Sequence, residues 1–431
     1  MIETKQNNLI VHIVTVPFSL GFLRGQSKFM RSLGFSVQVI SSPGAGLQEF
    51  AERELTQVHA VPMERRITPF RDMLALWRLY HKIRALRPQI IHTHTPKAGL
   101  LGSMAAWLAR VPVRIHTIHG LPMMTACGIK RLLLRWSEKI TCWCAHRVFG
   151  VSRSIIEVAV QEHICPADKI KILNNGSSNG IDALDKFNPW KYDAESRRIG
   201  RQQCKIANDA LVVGYVGRVV RDKGMIELAE AWRSLRNEFP TLHLLIVGPF
   251  EVEDPISQEV KTLFQNDPRI HLAGQVTGTP PYYAAMDVFT FPSYREGLGV
   301  AILEASAMEL PVVATRIPGC VDAVKDRITG ILVPPKNSKA LADALRKYLN
   351  SPALRLQHGQ AGRLRVLRDF NPETLRQARY EEYINLIRQK NLPVPTVAQL
   401  PESISLEERR AAFYRLVPES TDERLEKKKA S

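Results

Sequence analysis

The 431-residue sequence has no uncharged apolar run near the ~20 residues that span a bilayer. Its best such run, 98–109, stops at Arg110. A spanning helix is therefore excluded from the expectation. The N-terminus places Glu3 and Lys5 ahead of "LIVHIVTVPF", whose His and Pro suit a first strand and not a signal peptide, so a cytoplasmic protein is expected. Cysteine is also scarce. The six, at 127, 142, 144, 165, 204 and 320, include no C-x-x-C pair, and Cys142 and Cys144, two apart on a helix, point in different directions, so buried free thiols are expected and not a metal site. No D-x-D occurs, and neither G-x-x-x-x-G-K-[ST] nor G-x-G-x-x-G is present. The usual metal-carboxylate pair, the Walker A loop and the dinucleotide fingerprint are thus all missing. Acidic residues are few in one region: 61–150 holds 15 Lys/Arg against 3 Asp/Glu.

What is present is ordinary in composition, with 45% hydrophobic and 23% charged residues, but carries a net charge of +17. A basic excess in the first half suits a polyanionic partner: nucleic acid, an anionic membrane surface or phosphorylated substrates. It also suits a plain solvated face. No recognisable RNA- or DNA-binding motif accompanies the charge, so nucleic acid is not expected as a partner.

Short β-branched runs alternate with amphipathic helical stretches in two series. The first holds "LIVHIVTV" (9–16), "FSVQVI" (35–40), "IIHTHT" (90–95), "VRIHTIHG" (113–120), "HRVFGVS" (146–152) and "KIKIL" (169–173). The second holds "LVVGYVG" (211–217), "HLLIVG" (243–248), "IHLAG" (270–274), "VFTFPS" (288–293) and "PVVATRI" (311–317). The alternation predicts an α/β protein with two doubly wound parallel sheets, helices covering both faces of each. The polar, strandless 188–210 reads as the junction. Four regions follow: an N-terminal Rossmann-like domain over 1–195, a C-terminal one over 196–370, a helix over 371–390 opened by Asn371-Pro372, and a loosely held tail over 391–431.

Ligands of such sheets bind at the carboxyl ends of strands, so the strand-exit loops are the places to search. "GYVGRVVRDKG" (214–224) sets Arg218, Lys223 and Gly224 between a strand and a helix, where backbone N–H groups and two cations could clamp a diphosphate. "PFSLGFLRGQ" (17–26) offers Gly21 in a similar exit, or a plain turn. "REGLGVAILEA" (295–305) puts Glu296 before the turn glycines and Glu304 among apolar neighbours, where a carboxylate needs hydroxyls, amides or a cation. A salt bridge to Arg295 is the plainer alternative. His92 and His94 share one side of a strand end and His119 closes another. No third ligand of recognisable spacing joins them, so they read as hydrogen-bonding groups and not as a metal site. On the basic helix around 129–147, Leu132, Leu133, Trp136, Ile140 and Trp143 fall at helical spacing and fit either an interfacial membrane contact or domain core.

Taken together, the E-x7-E pair, the "GR…KG" loop, the glycine-bearing first loop and the two Rossmann-like halves resemble the retaining GT-B glycosyltransferases of family four. "HTHTPKAGLLG" (92–102), "HTIHG" (116–120), "NNGSSNGID" (174–182), "PSYREG" (292–297) and "LEASAM" (303–308) resemble its bacterial subgroup that builds capsule, O-antigen, exopolysaccharide or protein-linked glycans on polyprenyl diphosphate. The resemblance implies a UDP-sugar donor, a polyprenyl-diphosphate-linked sugar acceptor, no cofactor and no metal, at the inner face of the membrane. It implies that Arg218 and Lys223 hold the donor diphosphate, helped by the amides of Gly21 and of the Leu298-Gly299-Val300 turn. Glu296 would meet hydroxyls of the transferred sugar, Glu304 the ribose, His119 the donor sugar or its phosphate, and Gly274 and Gln275 the base. Without D-x-D, charge on the leaving diphosphate falls to Arg218, Lys223 and a helix N-terminus. The sequence departs from the pattern at "LGFLRG", where many relatives have adjacent glycines. The alternatives are a GT-B UDP-sugar epimerase and, on charge alone, a nucleic-acid-binding protein.

Overall fold

Apolar runs with no polar alternation can be satisfied only by burial on both faces, and the computed structural model, which describes residues 8–251 and 254–395, buries them that way. The first sheet contains β1 (Leu9–Ile13), β2 (Ser36–Ser41), β3 (Gln57–Ala60), β4 (Ile90–His94), β5 (Val113–Ile118), β6 (Arg147–Gly150) and β7 (Ile170–Ile172). All pairings are parallel, in the order β3-β2-β1-β4-β5-β6-β7. The second contains β8 (Leu211–Val216), β9 (Leu242–Val247), β10 (Ile270–Gly274), β11 (Val288–Phe291), β12 (Val312–Thr315) and β13 (Gly330–Val333). Its order is β10-β9-β8-β11-β12-β13, again parallel. The expected pair of doubly wound sheets is present. Two strands escaped the sequence reading. β3 is a polar sheet edge without a hydrophobic run, and β13 is the edge strand of the second sheet. Of the tail, 396–431 lies outside the described residues.

Strand order reverses between β1 and β4 in one sheet and between β8 and β11 in the other. A crevice opens at such switch points. The loops that leave β1, β8 and β11 bear Gly21, Lys223 and Glu296, and His94 is the last residue of β4.

The helix Pro372–Gln389 starts where the sequence predicts, with the Asn371 side chain accepting from the amides of Glu373 at 2.8 Å and Thr374 at 3.4 Å. It crosses from the second half back to the first sheet. There Leu375, Tyr383, Ile384 and Ile387 join Ile10, Ile90, Ile115 and Phe149 in one core. Where the two connections between halves pass, the amide of Ile181 donates to the Phe370 carbonyl at 2.8 Å.

The helix Gly128–Cys144 decides between the two readings of its apolar stripe. Leu132, Leu133, Trp136, Ile140 and Trp143 are exposed, whereas Glu138, Thr141, Cys142 and Cys144 are buried, so the stripe is not core. Glu138 packs against β5 with a carboxylate oxygen 3.9 Å from His116 Nε2, and burial pushes its pKa up to about 7.

Candidate functional site

Two glycines let the loops meet. Gly224 caps the helix Met225–Glu238 at φ +70°, and a Cβ there would fall 2.0 Å from the Pro292 carbonyl oxygen. This presses the loop after β8 against the loop after β11. Gly297 makes the equivalent contact across the two halves: a Cβ would lie 1.9 Å from the His119 carbonyl oxygen. Ser152 Oγ donates to the Gly297 carbonyl at 2.6 Å, and the amide of Arg153 donates to Asp322 at 3.1 Å, securing the same seam.

Lys223 therefore reaches Glu296, and the two form a mostly buried ion pair with the ammonium 5.3 Å from the Phe291 ring centroid. Glu296 does not pair with Arg295, the alternative raised by the sequence; Arg295 instead donates to Asp222 at 3.0 Å and to Thr125 at 3.1 Å. Arg218 donates to Glu251 at 2.7 Å. Leu298 is buried, Gly299 takes φ +49°, and Val300 opens the helix Val300–Ala307, whose free N–H groups and dipole face the loop end.

One and a half turns into that helix, Glu304 accepts from Tyr283 Oη at 2.9 Å. Burial raises its pKa, and the Tyr283 hydrogen bond, Lys186 and Arg24 oppose the rise. Across the seam, His119 leaves β5 with its ring stacked on Phe22, centroids 4.0 Å apart and planes at 11°. Its Nδ1 lies 2.8 Å from Ser178 Oγ and its Nε2 3.0 Å from His94 Nδ1. Burial holds its pKa well below the usual imidazole value, with His116 and Arg379 adding to the effect.

The structure brings Lys223, Glu296, Gly297 and the His119-Gly120 loop into contact. Gly21 lies in the 3-10 turn Pro17–Leu23 beside Phe22, and a side chain there would meet nothing within 4 Å. Gly274 ends β10 at φ +64°, one strand beyond the Gly217–Gly248 contact, and Gln275 is exposed. Among the described residues, Gly274 hydrogen-bonds to Gly248, whose amide donates to its carbonyl at 2.8 Å, and not to the other predicted site residues.

Sequence reasoning missed Tyr283, Phe22, Ser178, Lys186, Glu251 and His12. The last supplies the third imidazole beside His92 and His94, whose ring nitrogens with its own lie within 4.8 Å of one another. Both nitrogens of His92 already have hydroxyl partners, Tyr383 at 2.5 Å and Thr117 at 2.6 Å.

Residues 210–351 match the family described as glycosyl transferases group 1, and residues 22–176 match the glycosyl transferase 4-like domain. A capsular polysaccharide biosynthesis glycosyltransferase of Staphylococcus aureus is 34% identical over 370 residues, covering 86% of this chain and 95% of the relative. A UDP-Gal:alpha-D-GlcNAc-diphosphoundecaprenol alpha-1,3-galactosyltransferase of Escherichia coli is 27% identical, with 86% and 95% covered. Among solved structures, Anabaena HepE in complex with UDP and glucose superposes with a TM-score of 0.74 at 19% identity, over 87% of this chain and 99% of that one. This last likeness is one of fold.

Proposed function

Since the chain belongs to the group 1 glycosyltransferases, we propose that it moves a sugar from a UDP-sugar, with retention, onto a polyprenyl-diphosphate-linked saccharide at the inner face of a membrane. The observation that carries this reading is the Lys223–Glu296 pair at the seam with His119. With the site empty, each group neutralises the other. An arriving diphosphate competes for Lys223, and Glu296 is released to accept hydrogen bonds from sugar hydroxyls. Arg218, also held by an acid, can make the same exchange, and the N-terminus of Val300–Ala307 adds amide donors. Glu304, one and a half turns deeper, suits the ribose hydroxyls.

In the reaction the C1–O bond to the β-phosphate breaks and a C1–O bond to the acceptor hydroxyl forms on the same face. The acceptor proton passes to the departing phosphate oxygen, so no protein base is required. Charge growing on that diphosphate is met by Lys223, Arg218 and the helix dipole, and we propose that no metal is needed. The test offers the purified protein polyprenyl-diphosphate sugars and a panel of UDP-sugars, with products read by mass spectrometry. The expected result is a glycosylated lipid, formed at an unchanged rate in excess EDTA. An epimerised UDP-sugar as sole product would favour the epimerase alternative, and loss of activity in EDTA with rescue by manganese would overturn the metal-free chemistry.

The first half presents a surface suited to a lipid-borne acceptor. Helices Pro69–Leu86, Pro96–Leu108 and Gly128–Cys144 pack side by side and leave Phe70, Met73, Trp77, Trp107, Ile129, Trp136 and Trp143 exposed, with Arg65, Arg71, Arg78 and Lys130 also exposed nearby in sequence. Exposed Trp accompanied by cations favours the interface of an anionic leaflet. No helix among the described residues is long and apolar enough to cross a membrane. Replacing Trp77 and Trp136 together by Glu is expected to weaken sedimentation with phosphatidylglycerol vesicles about 10-fold or more. Turnover of a short-chain, water-soluble acceptor should stay unchanged in that variant. Undiminished vesicle binding would remove this face from the proposal.

A further inference from the structure

We infer that the buried imidazoles of His94 and His12 fix which ring nitrogen of His119 carries its proton, making them positioning residues for the cleft. The inference rests on the reading of His119 given above only for its effect on turnover; the wiring itself stands on geometry.

β1, β4 and β5 are neighbours, and the parallel register pairs His12 with His92 and His94 with Thr117. Side chains two apart share a face, so His92 and His94 lie together under the strand ends and His12 joins them from the next strand. The rings form a continuous chain. His12 Nδ1 lies 3.1 Å from His94 Nε2, His94 Nδ1 lies 3.0 Å from His119 Nε2, and His119 Nδ1 lies 2.8 Å from Ser178 Oγ. His12 and His94 are buried, and Phe22 lies flat on His119.

Burial keeps this chain neutral, and a permanent cation beside it adds to the effect. Arg379, fully enclosed, donates to Gln26 Oε1 and to the Ser178 carbonyl, both at 2.7 Å, and disfavours a second positive charge beside it. Burial and Arg379 depress the pKa of His12, His94 and His119 alike.

Each neutral ring carries one N–H, so the tautomers are interlocked and only two arrangements exist. If every ring donates toward Ser178, His12 Nε2 is left as a bare lone pair. If every ring donates inward, His12 Nε2 becomes an N–H. That nitrogen is buried and has no partner. A buried N–H without an acceptor is the rarer and costlier outcome, so the outward arrangement wins. His119 then accepts at Nε2 from His94 and donates from Nδ1 to Ser178 Oγ. When a donor binds, that N–H can exchange Ser178 Oγ for a sugar or phosphate oxygen without protonating it.

The test is 15N NMR of histidine-labelled full-length protein, in which protonated and bare ring nitrogens differ widely in shift. The expected result is His119 in the Nδ1–H form, changing to a mixture in His94→Leu. His94→Asn, whose amide nitrogen can stand in for Nδ1, should restore the Nδ1–H form. In kinetics, His94→Leu should lose about 10-fold in kcat with donor KM changed less than about 3-fold, and His94→Asn should regain most of it. A wild-type His119 in the Nε2–H form overturns the inference without any variant being needed. So does a folded His94→Leu with an unchanged His119 tautomer. Stoichiometric zinc binding by the wild type, lost in His94→Leu, would overturn it too, because the imidazoles would then be ligands. A tautomer that follows His94 while kcat does not would uphold the wiring and instead remove His119 from contact with the donor sugar.

Discussion

Lys223→Ala should lower kcat by about 10²- to 10³-fold, the range seen when one preorganised donor to a developing anion is removed. Three features make this the largest expected effect. The ammonium is mostly buried, so water screens it little. It is held over the Phe291 ring, and its anionic contact among the described residues is Glu296, which the diphosphate can replace. Arg218 is more exposed and is shared with Glu251, so Arg218→Ala should cost less. The substitution also leaves Glu296 enclosed without its cation. If this costs ~1 kcal/mol, Tm falls by about 2–4 °C. Adding Glu296→Gln should recover the Tm and not the turnover, which separates charge balance from catalysis. A kcat for Lys223→Ala within about 3-fold of the parent would remove Lys223 from the leaving-group site.

Glu304→Gln should raise donor KM by about 10- to 100-fold, since a charged hydrogen bond contributes ~1.5–3 kcal/mol. Calorimetry with UDP alone should show the same loss, because the ribose and not the sugar is the group contacted. The fold should be unaffected: Gln is isosteric, and its amide oxygen can still accept from Tyr283. A pH signature accompanies the effect. Burial raises the Glu304 pKa, so on acidification it takes up a proton earlier than an ordinary glutamate and loses acceptor strength. Donor affinity in the parent should therefore fall on the acid side from a pH above the usual glutamate range, and Glu304→Gln should lack that limb. Unchanged UDP affinity in the variant would sink the ribose role.

The parts of this protein legible in the sequence are those governed by local rules. "LVVGYVG" can only be a buried strand, and Gly224 after Lys223 marks a helix entry that tolerates φ +70°. The E-x7-E spacing placed Glu296 on a loop and Glu304 on a helix, as found. What stayed hidden depends on contacts between distant residues. Glu296 could have met Arg295 next to it; only the approach of the β8 and β11 loops assigns it to Lys223, 73 positions away. His12 looked like any residue of a first strand, and its link to His94, 82 positions on, exists because strand order puts β1 beside β4. The stripe of Trp136 and Trp143 has helical spacing whichever way it faces. Its outward direction follows from Glu138 and two cysteines taking the inner face, which no periodicity announces.

The helix Pro372–Gln389 has a consequence for how the molecule comes into being. The strands of the first sheet, β1 to β7, are complete at Ile172, yet part of their core is filled by Tyr383, Ile384 and Ile387. Arg379 and Tyr383, which brace Ser178 and His92, arrive equally late. The first half must therefore wait, with an open apolar flank, while more than 200 further residues are translated. A nascent chain arrested before residue 370 would be a strong client for chaperones, and release past residue 390 is the event that closes the first half.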